Sequence, residues 1–191
     1  MAGARAKLII WTGPKHSGKT TAAEALAESA RAAGFSVAGL TAPSVHQAGR
    51  LIGFDVVDLR TSARAPLARR GAKGLPRVGD YGFLAEGLAA GERALGAAAL
   101  SADLVIVDEF GPLELRGEGW RARTDSLVAR AKGLIVLVVR EELVDAVRRL
   151  YAGASCRVLS PADPAAPETV MEMLRANGCH DGGAGQDGPA A

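Results

Sequence analysis

The residues with the clearest chemical potential lie between Gly13 and Thr20, where the chain reads Gly-Pro-Lys-His-Ser-Gly-Lys-Thr. This segment matches the pattern G-x-x-x-x-G-K-[ST] at every position. Glycines let the backbone curl so that consecutive N–H groups point inward at an anionic ligand such as a phosphate chain. We therefore predict that Lys19 is catalytic and reaches the β- and γ-phosphates, and that the Thr20 hydroxyl ligates Mg2+.

The flanking residues distinguish this segment from an ordinary glycine turn. The apolar run Leu8 to Trp11 predicts a strand before it, and an alanine-rich amphipathic stretch predicts a helix after it. A helix that opens near Gly18 would point its positive dipole end at the phosphates. We expect His16 to be a loop residue exposed over them.

A second group of chemical residues follows the apolar run Leu104 to Val107, which predicts a buried strand. Asp108 directly after it is placed to hold Mg2+, through water or directly. Glu109 is placed to orient and deprotonate a water for in-line attack on the γ-phosphorus, and we predict that it is catalytic. Taken alone, an Asp-Glu pair after a strand would also suit a solvated turn. A water-activating base favours hydrolysis over phosphoryl transfer.

These residues need a scaffold in which strands and helices alternate. We predict strands over 7–12, 35–41, 103–108, 134–139 and 156–159, and helices over 18–33, 81–100, 120–132, 141–152 and 167–176. Residues 50–59 alternate like an antiparallel strand of a hairpin, and residues 60–80 are typical of a basic loop. The fold class predicted is α/β: a three-layer P-loop sandwich, with a mostly parallel sheet and a β-hairpin insertion.

The arginines between residues 60 and 77 allow three interpretations. They are charged side chains of a solvated hairpin, or Arg64, Arg69 or Arg77 stabilises charge on the γ-phosphoryl as an arginine finger does. Alternatively they bind the phosphate of an acceptor, as the lids of nucleotide kinases do. Among the aromatic residues, Phe54 is expected in the core, while Tyr81 and Phe110 are the better candidates for stacking on a base.

The bulk composition narrows the function classes. With 191 residues and 48% hydrophobic content, the chain suits one domain, which we expect over residues 1–177, followed by a disordered glycine-rich tail over 178–191. The formal net charge of +2 argues against a nucleic-acid partner. No run approaches the ~20 apolar residues of a membrane span. We expect a cytoplasmic monomer with reduced cysteines and no zinc site.

Guanine specificity is not expected, because the segment Val138 to Glu142 carries no N-K-x-D tetrapeptide. Glu114, in the turn after the acidic strand, is expected either to support the site from behind or to shape the approach to the next helix.

Further motifs resemble those of a small P-loop nucleoside-triphosphatase family, the cancer-related or archaeal-bacterial type. They are Gly-Arg-Leu-Ile-Gly-Phe-Asp-Val-Val at 49–57, Pro-Leu-Ala-Arg at 66–69, Arg-Val-Gly-x-Tyr at 77–81 and Asp-Glu-Phe-Gly-Pro-Leu-Glu-Leu at 108–115. Together with the phosphate loop they span about residues 7–160, in the family's order.

This resemblance implies a RecA-like P-loop domain and slow, Mg2+-dependent hydrolysis of several nucleoside triphosphates with little base preference. It implies that Asp108 assists the metal and Glu109 is the base. The phosphate-binding residues that it implies are Gly13, Pro14, Lys15, His16, Ser17, Gly18, Lys19, Thr20 and Thr21. The sequence departs from the family at 15–17, which leaves nucleotide preference and rate open.

Two alternatives to hydrolysis stay open. A nucleotide or small-molecule kinase would accumulate a phosphorylated acceptor instead of free phosphate. A nucleotide-gated accessory module would hydrolyse slowly to reset a conformation, and a protein partner would accelerate it.

Overall fold

The computed structural model describes residues 8–74 and 76–178. Within them, one ten-stranded sheet is flanked by helices on both faces. The strands are β1 (Leu8–Gly13), β2 (Val37–Thr41), β3 (Ser44–Gln47), β4 (Arg50–Asp58), β5 (Arg64–Arg70), β6 (Arg77–Val78), β7 (Tyr81–Phe83), β8 (Leu104–Val107), β9 (Leu134–Arg140) and β10 (Cys156–Leu159). The helices are α1 (Lys19–Ala32), α2 (Ala85–Ala94), α3 (Ala97–Ser101), α4 (Pro112–Leu115), α5 (Arg121–Arg130), α6 (Val144–Leu150) and α7 (Ala166–Gly178).

The strand order is β10-β1-β9-β8-β2-β4-β5-β7-β6, with β3 paired to β4. The first five strands in this order are parallel to one another, and pairing is antiparallel from β4 onward. Strand β9 therefore lies between β1 and β8, so the strand before the phosphate loop and the strand before the carboxylates are not neighbours. The predicted three-layer α/β sandwich is confirmed.

Alternation along the parallel strands divides the core between the two faces of the sheet. On β1, Leu8 and Ile10 belong to a cluster that includes Leu95, whereas Ile9 and Trp11 belong to a second cluster. The first cluster contains side chains from α2, α3, α5 and α6; the second contains side chains from α1 and α7. Because both faces are covered, these strands are apolar throughout, as the sequence indicated.

The largest difference from the predicted elements lies between residues 44 and 83. The hairpin expected there is a larger antiparallel unit of five strands, β3 to β7, which we call the wing. Residues 60–80, predicted as a basic loop, contain β5 and β6. The charged residues of this segment made β5 look like a loop in the sequence. In the structure, β5 pairs with β4 along its main chain. The register shifts between Phe54 and Asp55, where Asp55 lies opposite Pro66, which has no N–H to donate.

The remaining differences are local. Residues 81–100, predicted as one helix, begin with β7 and divide into α2 and α3, and the short helix α4 was not predicted. The helix expected from 141 begins as a 3-10 turn over Glu141–Leu143. The tail expected to be disordered, which includes Cys179 and His180, lies outside the described residues apart from Gly178. Cys156 is a free, half-buried thiol.

Candidate active site

The phosphate loop joins the end of β1 to the start of α1. Residues 14–18 are exposed, and His16 and Gly18 have left-handed backbone conformations, with φ of 62° and 77°. Gly18 provides the N-cap of α1 without a side chain, so the first N–H groups of this 14-residue helix face the loop opening. The Lys19 ammonium donates hydrogen bonds across the opening to the carbonyl oxygens of Gly13 (2.9 Å) and Pro14 (2.7 Å).

The predicted phosphate-binding residues divide by position. Lys15 to Thr21 all line one cavity of about 560 Å3, a volume typical of small-molecule sites. Gly13 is buried at the base of the loop, and Pro14 is exposed at its start; each supplies a carbonyl to Lys19. The structure thus brings Lys15, His16 and Ser17, where the sequence departs from the resembled family, to the mouth of the cavity.

Asp108 lies at the carboxyl end of β8 with only 1% of its surface exposed. Its carboxylate accepts hydrogen bonds from the N–H of Ala42 (2.9 Å), the N–H of Glu109 (2.8 Å) and the Thr20 hydroxyl. Burial, followed by the neighbouring charge of Glu109, raises the pKa of Asp108 to about 6.

The contact between Thr20 and Asp108 determines which ion this corner of the cavity suits. A hydroxyl and a carboxylate are hard oxygen ligands of the kind that Mg2+ takes together with phosphate oxygens. A desolvated carboxylate is also stabilised by a cation placed beside it. Thr20 and Asp108 therefore fit the role predicted for them.

Glu109 differs from its neighbour in exposure and in backbone conformation. Its φ of 53° is uncommon for a residue with a side chain, and its side chain is 36% exposed. Both carboxylates line the cavity, but Asp108 is buried beside Thr20 whereas Glu109 is partly exposed to solvent. Two adjacent carboxylates thus receive different environments, one suited to holding a metal and one to exchanging protons with a water.

Arg140 is a functional candidate that the sequence analysis did not single out. It ends β9, where its Cα pairs in register with Gly13, and its Nη2 lies 3.4 Å from the Glu109 Oε2. It lines the cavity between the phosphate loop and Glu109. The available signal was a basic residue directly after the apolar run 134–139; recognising it required the order β1-β9-β8.

The three arginines considered as arginine fingers have other partners. Arg64 and Arg69 both pair with Asp55, at 2.6 and 2.5 Å, and Arg77 donates to the carbonyl of Ala72 at 2.9 Å. These bonds hold the strands of the wing together. Among the described residues that line the cavity, the basic ones are Lys15, His16, Lys19 and Arg140.

Glu24 is a second cavity residue that the sequence analysis missed. It lies one helical turn after Thr20 on α1 and accepts a hydrogen bond from the buried Thr41 hydroxyl at 3.1 Å. The i, i+4 spacing from Thr20 was the signal in the sequence, since residues four apart share a helix face. Glu24 adds a carboxylate to the polar end of the cavity.

The cavity continues from this polar end into a region lined by the wing and α2. We call it the apolar chamber, defined by Leu51, Phe54, Val78, Tyr81, Phe83 and Leu88. The Phe54 and Tyr81 rings lie 5.4 Å apart in an edge-to-face arrangement. Phe110, one of the two candidates for stacking on a base, is only 1% exposed and packs against Tyr151, so its ring belongs to the core.

Glu114 shapes the loop between Glu109 and α5. It is 3% exposed, and its carboxylate accepts hydrogen bonds from the N–H groups of Gly111 (3.0 Å) and Trp120 (3.2 Å). Burial raises the pKa of Glu114. Of the two roles left open by the sequence, these bonds show the second, because they hold the approach to α5; Glu114 also lines the cavity.

A family model described as NTPase matches residues 8–161 of the chain. The nucleoside-triphosphatase THEP1 of Methanopyrus kandleri is 35% identical over 151 residues, covering 73% of this chain and 83% of that protein. The protein of the same name from Hyperthermus butylicus is 35% identical over 171 residues, covering 87% of this chain and 90% of its own.

Solved structures share the fold at lower identity. A solution structure of a human cancer-related nucleoside triphosphatase aligns with a TM-score of 0.65 at 24% identity, over 91% of this chain and 97% of that one. The crystal structure of THEP1 from Aquifex aeolicus aligns with a TM-score of 0.61 at 22% identity, over 87% of this chain and 98% of that one. Within residues 8–74 and 76–178, every helix is too short or too polar to cross a membrane.

Proposed function

The chain belongs to the NTPase family and is a nucleoside-triphosphatase, and from this premise we propose that it hydrolyses the β–γ bond of ATP, GTP, CTP and UTP with Mg2+. The observation that carries this proposal is the meeting of the phosphate loop with two carboxylates around one cavity, where the Thr20 hydroxyl bonds Asp108 and Glu109 faces the opening.

Each residue has a separate task in the proposed reaction. Lys19 leaves the carbonyls of Gly13 and Pro14 and neutralises the β- and γ-phosphate oxygens. Thr20 and Asp108 hold Mg2+, which when bound offsets charge on the same oxygens. Glu109 accepts a proton from a water as the water oxygen bonds to the γ-phosphorus and the bond to the β-phosphate oxygen breaks. The products are the nucleoside diphosphate and phosphate.

Arg140 completes the charge balance at the γ-phosphoryl. Its guanidinium lies beside Glu109, and its main chain pairs with the first residue of the phosphate loop, so it can donate to γ-phosphate oxygens as their charge develops. It takes the role that the wing arginines do not, since Arg64 and Arg69 are both occupied by Asp55.

Low base preference is part of the proposal. Strand β9 ends at Arg140 and is followed by Glu141 and Glu142, so the N-K-x-D element with which G proteins recognise guanine is missing at this position. The four nucleotides share the triphosphate, and the proposed contacts are all to the triphosphate and its metal.

The test is free phosphate release from ATP, GTP, CTP and UTP, with Mg2+ and with a chelator, in the parent protein and in Glu109→Gln. We expect release from all four nucleotides, dependence on Mg2+, and a loss of about 10^2-fold or more in the variant, in the range of general-base catalysis. A fluorescent nucleotide should bind both proteins equally. Equal turnover in both would remove Glu109 from the mechanism, and full turnover in Lys19→Ala would remove the phosphate loop.

A further inference from the structure

The apolar chamber opens onto the reacting end of the nucleotide. Thr20, Asp108 and Glu109 mark the position of the metal and the γ-phosphoryl, and Glu109 to Pro112 line the cavity next to the chamber. The wing lines the chamber; it follows β2 in the sequence and extends the sheet beyond β2 through β4. A molecule in the chamber would therefore approach the γ-phosphorus from the side on which Glu109 lies.

The lining of the chamber suits a flat, uncharged ring. Phe54, Tyr81 and Phe83 are each only partly buried, although all three lie on strands of the wing. The Arg70 guanidinium lies 5.5 Å from the centre of the Tyr81 ring and donates a hydrogen bond to its hydroxyl at 3.2 Å. Aromatic side chains bind heterocyclic bases by stacking, with little dependence on which base is present.

The six residues that define the chamber provide no positive charge for a phosphorylated ligand. Arg64 and Arg69 of the wing share Asp55, and Arg70 donates a hydrogen bond to the Tyr81 hydroxyl. The polar side chains nearby are Ser44 and Asp80, which line the same cavity and are both exposed. A hydroxyl and a carboxylate accept hydrogen bonds from sugar hydroxyls or from the amino group of a base.

We propose that the apolar chamber binds an uncharged nucleoside, with its base against Phe54 and Tyr81 and a sugar hydroxyl beside Glu109. This rests on the proposed function, because it uses the same triphosphate site. The hydroxyl replaces the attacking water: its oxygen bonds to the γ-phosphorus, its proton passes to Glu109, and the bond to the β-phosphate oxygen breaks. The products are a nucleoside monophosphate and a nucleoside diphosphate, and hydrolysis is the reaction without the acceptor.

The experiment supplies Mg2+ and γ-labelled ATP with adenosine, guanosine, cytidine, uridine or thymidine in turn, and separates labelled nucleoside monophosphate from free phosphate. Val78→Trp fills the chamber from β6, and Val158→Trp is its matched control on β10, where Val158 is exposed at the opposite edge of the sheet. We expect at least one nucleoside to be phosphorylated. Val78→Trp should lower the ratio of nucleoside monophosphate to phosphate about tenfold, and Val158→Trp should leave it unchanged.

A second variant guards against misfolding of the first. Tyr81→Ala should raise the KM for the nucleoside about tenfold while the KM for ATP stays within twofold, because Tyr81 contacts only the chamber side in this assignment. Phosphate release without any nucleoside is measured in parallel and tests hydrolysis separately. If nucleosides are phosphorylated but no phosphate is released without them, the hydrolase proposal is overturned and the chamber assignment stands.

Three outcomes would overturn the chamber assignment. The first is the absence of monophosphate from all five nucleosides while hydrolysis proceeds. The second is phosphorylation to which Val78→Trp and Tyr81→Ala make no difference. The third is a rise in the KM for ATP in Val78→Trp with no transfer in the parent protein, which would place the base of the triphosphate itself in the chamber.

Discussion

Arg140 and Glu109 form a charged pair in the cavity, with 32% and 36% of their side chains exposed. A pair this exposed adds little to folding stability. The pair lies next to the phosphate loop, where it could act on a bound triphosphate. Both partners can turn toward the triphosphate without leaving a buried charge unpaired.

We predict that Arg140→Ala lowers kcat about 10^2- to 10^3-fold, the usual cost of removing one donor to a charge that develops in the transition state. The affinity for MgADP should change less than threefold, since ADP carries no γ-phosphate. Arg140→Lys should retain part of the rate. Steady-state kinetics and nucleotide titration separate the two effects.

The control for this variant is Arg157→Ala, which removes an exposed arginine from β10 at the sheet edge. It should behave as the parent protein does. A large fall in MgADP affinity for Arg140→Ala, with kcat unchanged, would show that Arg140 binds the nucleotide and does not contribute to the chemical step.

At the scale of elements, helix α2 is positioned by the contact between Gly91 and Trp120. A Cβ at Gly91 would overlap the indole ring of Trp120, which is 3% exposed and donates its Nε1–H to the carbonyl of Leu88. Trp120 in turn donates its main-chain N–H to Glu114. The glycine thus allows α2 to pack on the loop that follows Asp108 and Glu109.

Gly91→Ala should lower the free energy of unfolding by about 1–3 kcal/mol, the usual cost of overpacking. The intrinsic gain of alanine over glycine in a helix, about 1 kcal/mol, would otherwise stabilise the protein. Urea unfolding measures the difference. Gly153→Ala is the matched control, because a Cβ there meets open space, and it should change stability by less than about 0.5 kcal/mol. An increase in stability for Gly91→Ala would show that Trp120 moves at no cost.

For the whole molecule, the buried Asp108 links stability to pH. Its pKa is about 6 in the folded protein against an ordinary value near 3.8, so the folded state holds the extra proton between these values. The stabilisation that this proton provides is complete below about pH 4 and is lost as the pH rises through 6.

In metal-free protein, the free energy of unfolding should therefore fall as the pH rises from about 4 to 6. The slope should reach up to about 1.4 kcal/mol per pH unit, on the order of 3 kcal/mol in all. Asp108→Asn should remove this part of the slope, and Asp145→Asn, at an exposed carboxylate on α6, should keep it. Thermal or urea unfolding at pH 4 to 7.5 in a chelator makes the comparison. The same slope in the parent protein and in Asp108→Asn would contradict the assignment.

Local residue patterns were enough to predict the parts of the site whose chemistry requires residues that are neighbours in the chain. Gly13 to Thr20 must be contiguous to form a phosphate cradle, and Asp108 and Glu109 must follow a buried strand directly. The apolar runs of β1, β8 and β9 predicted strands covered on both faces, and these predictions of fold and family are confirmed. The individual roles of these residues stay predictions.

Only the tertiary structure decided what depends on residues far apart in the chain. Strand order places Arg140 beside Gly13 and Glu109, and pairing with β4 turned a segment predicted as a basic loop into β5. Asp55 engages Arg64 and Arg69, which the sequence had left available to a phosphate. Burial raised the pKa of Asp108. Packing of β4, β6, β7 and α2 against one another formed the apolar chamber. Local sequence patterns do not contain these features, because each arises from contacts and desolvation created when distant segments pack together.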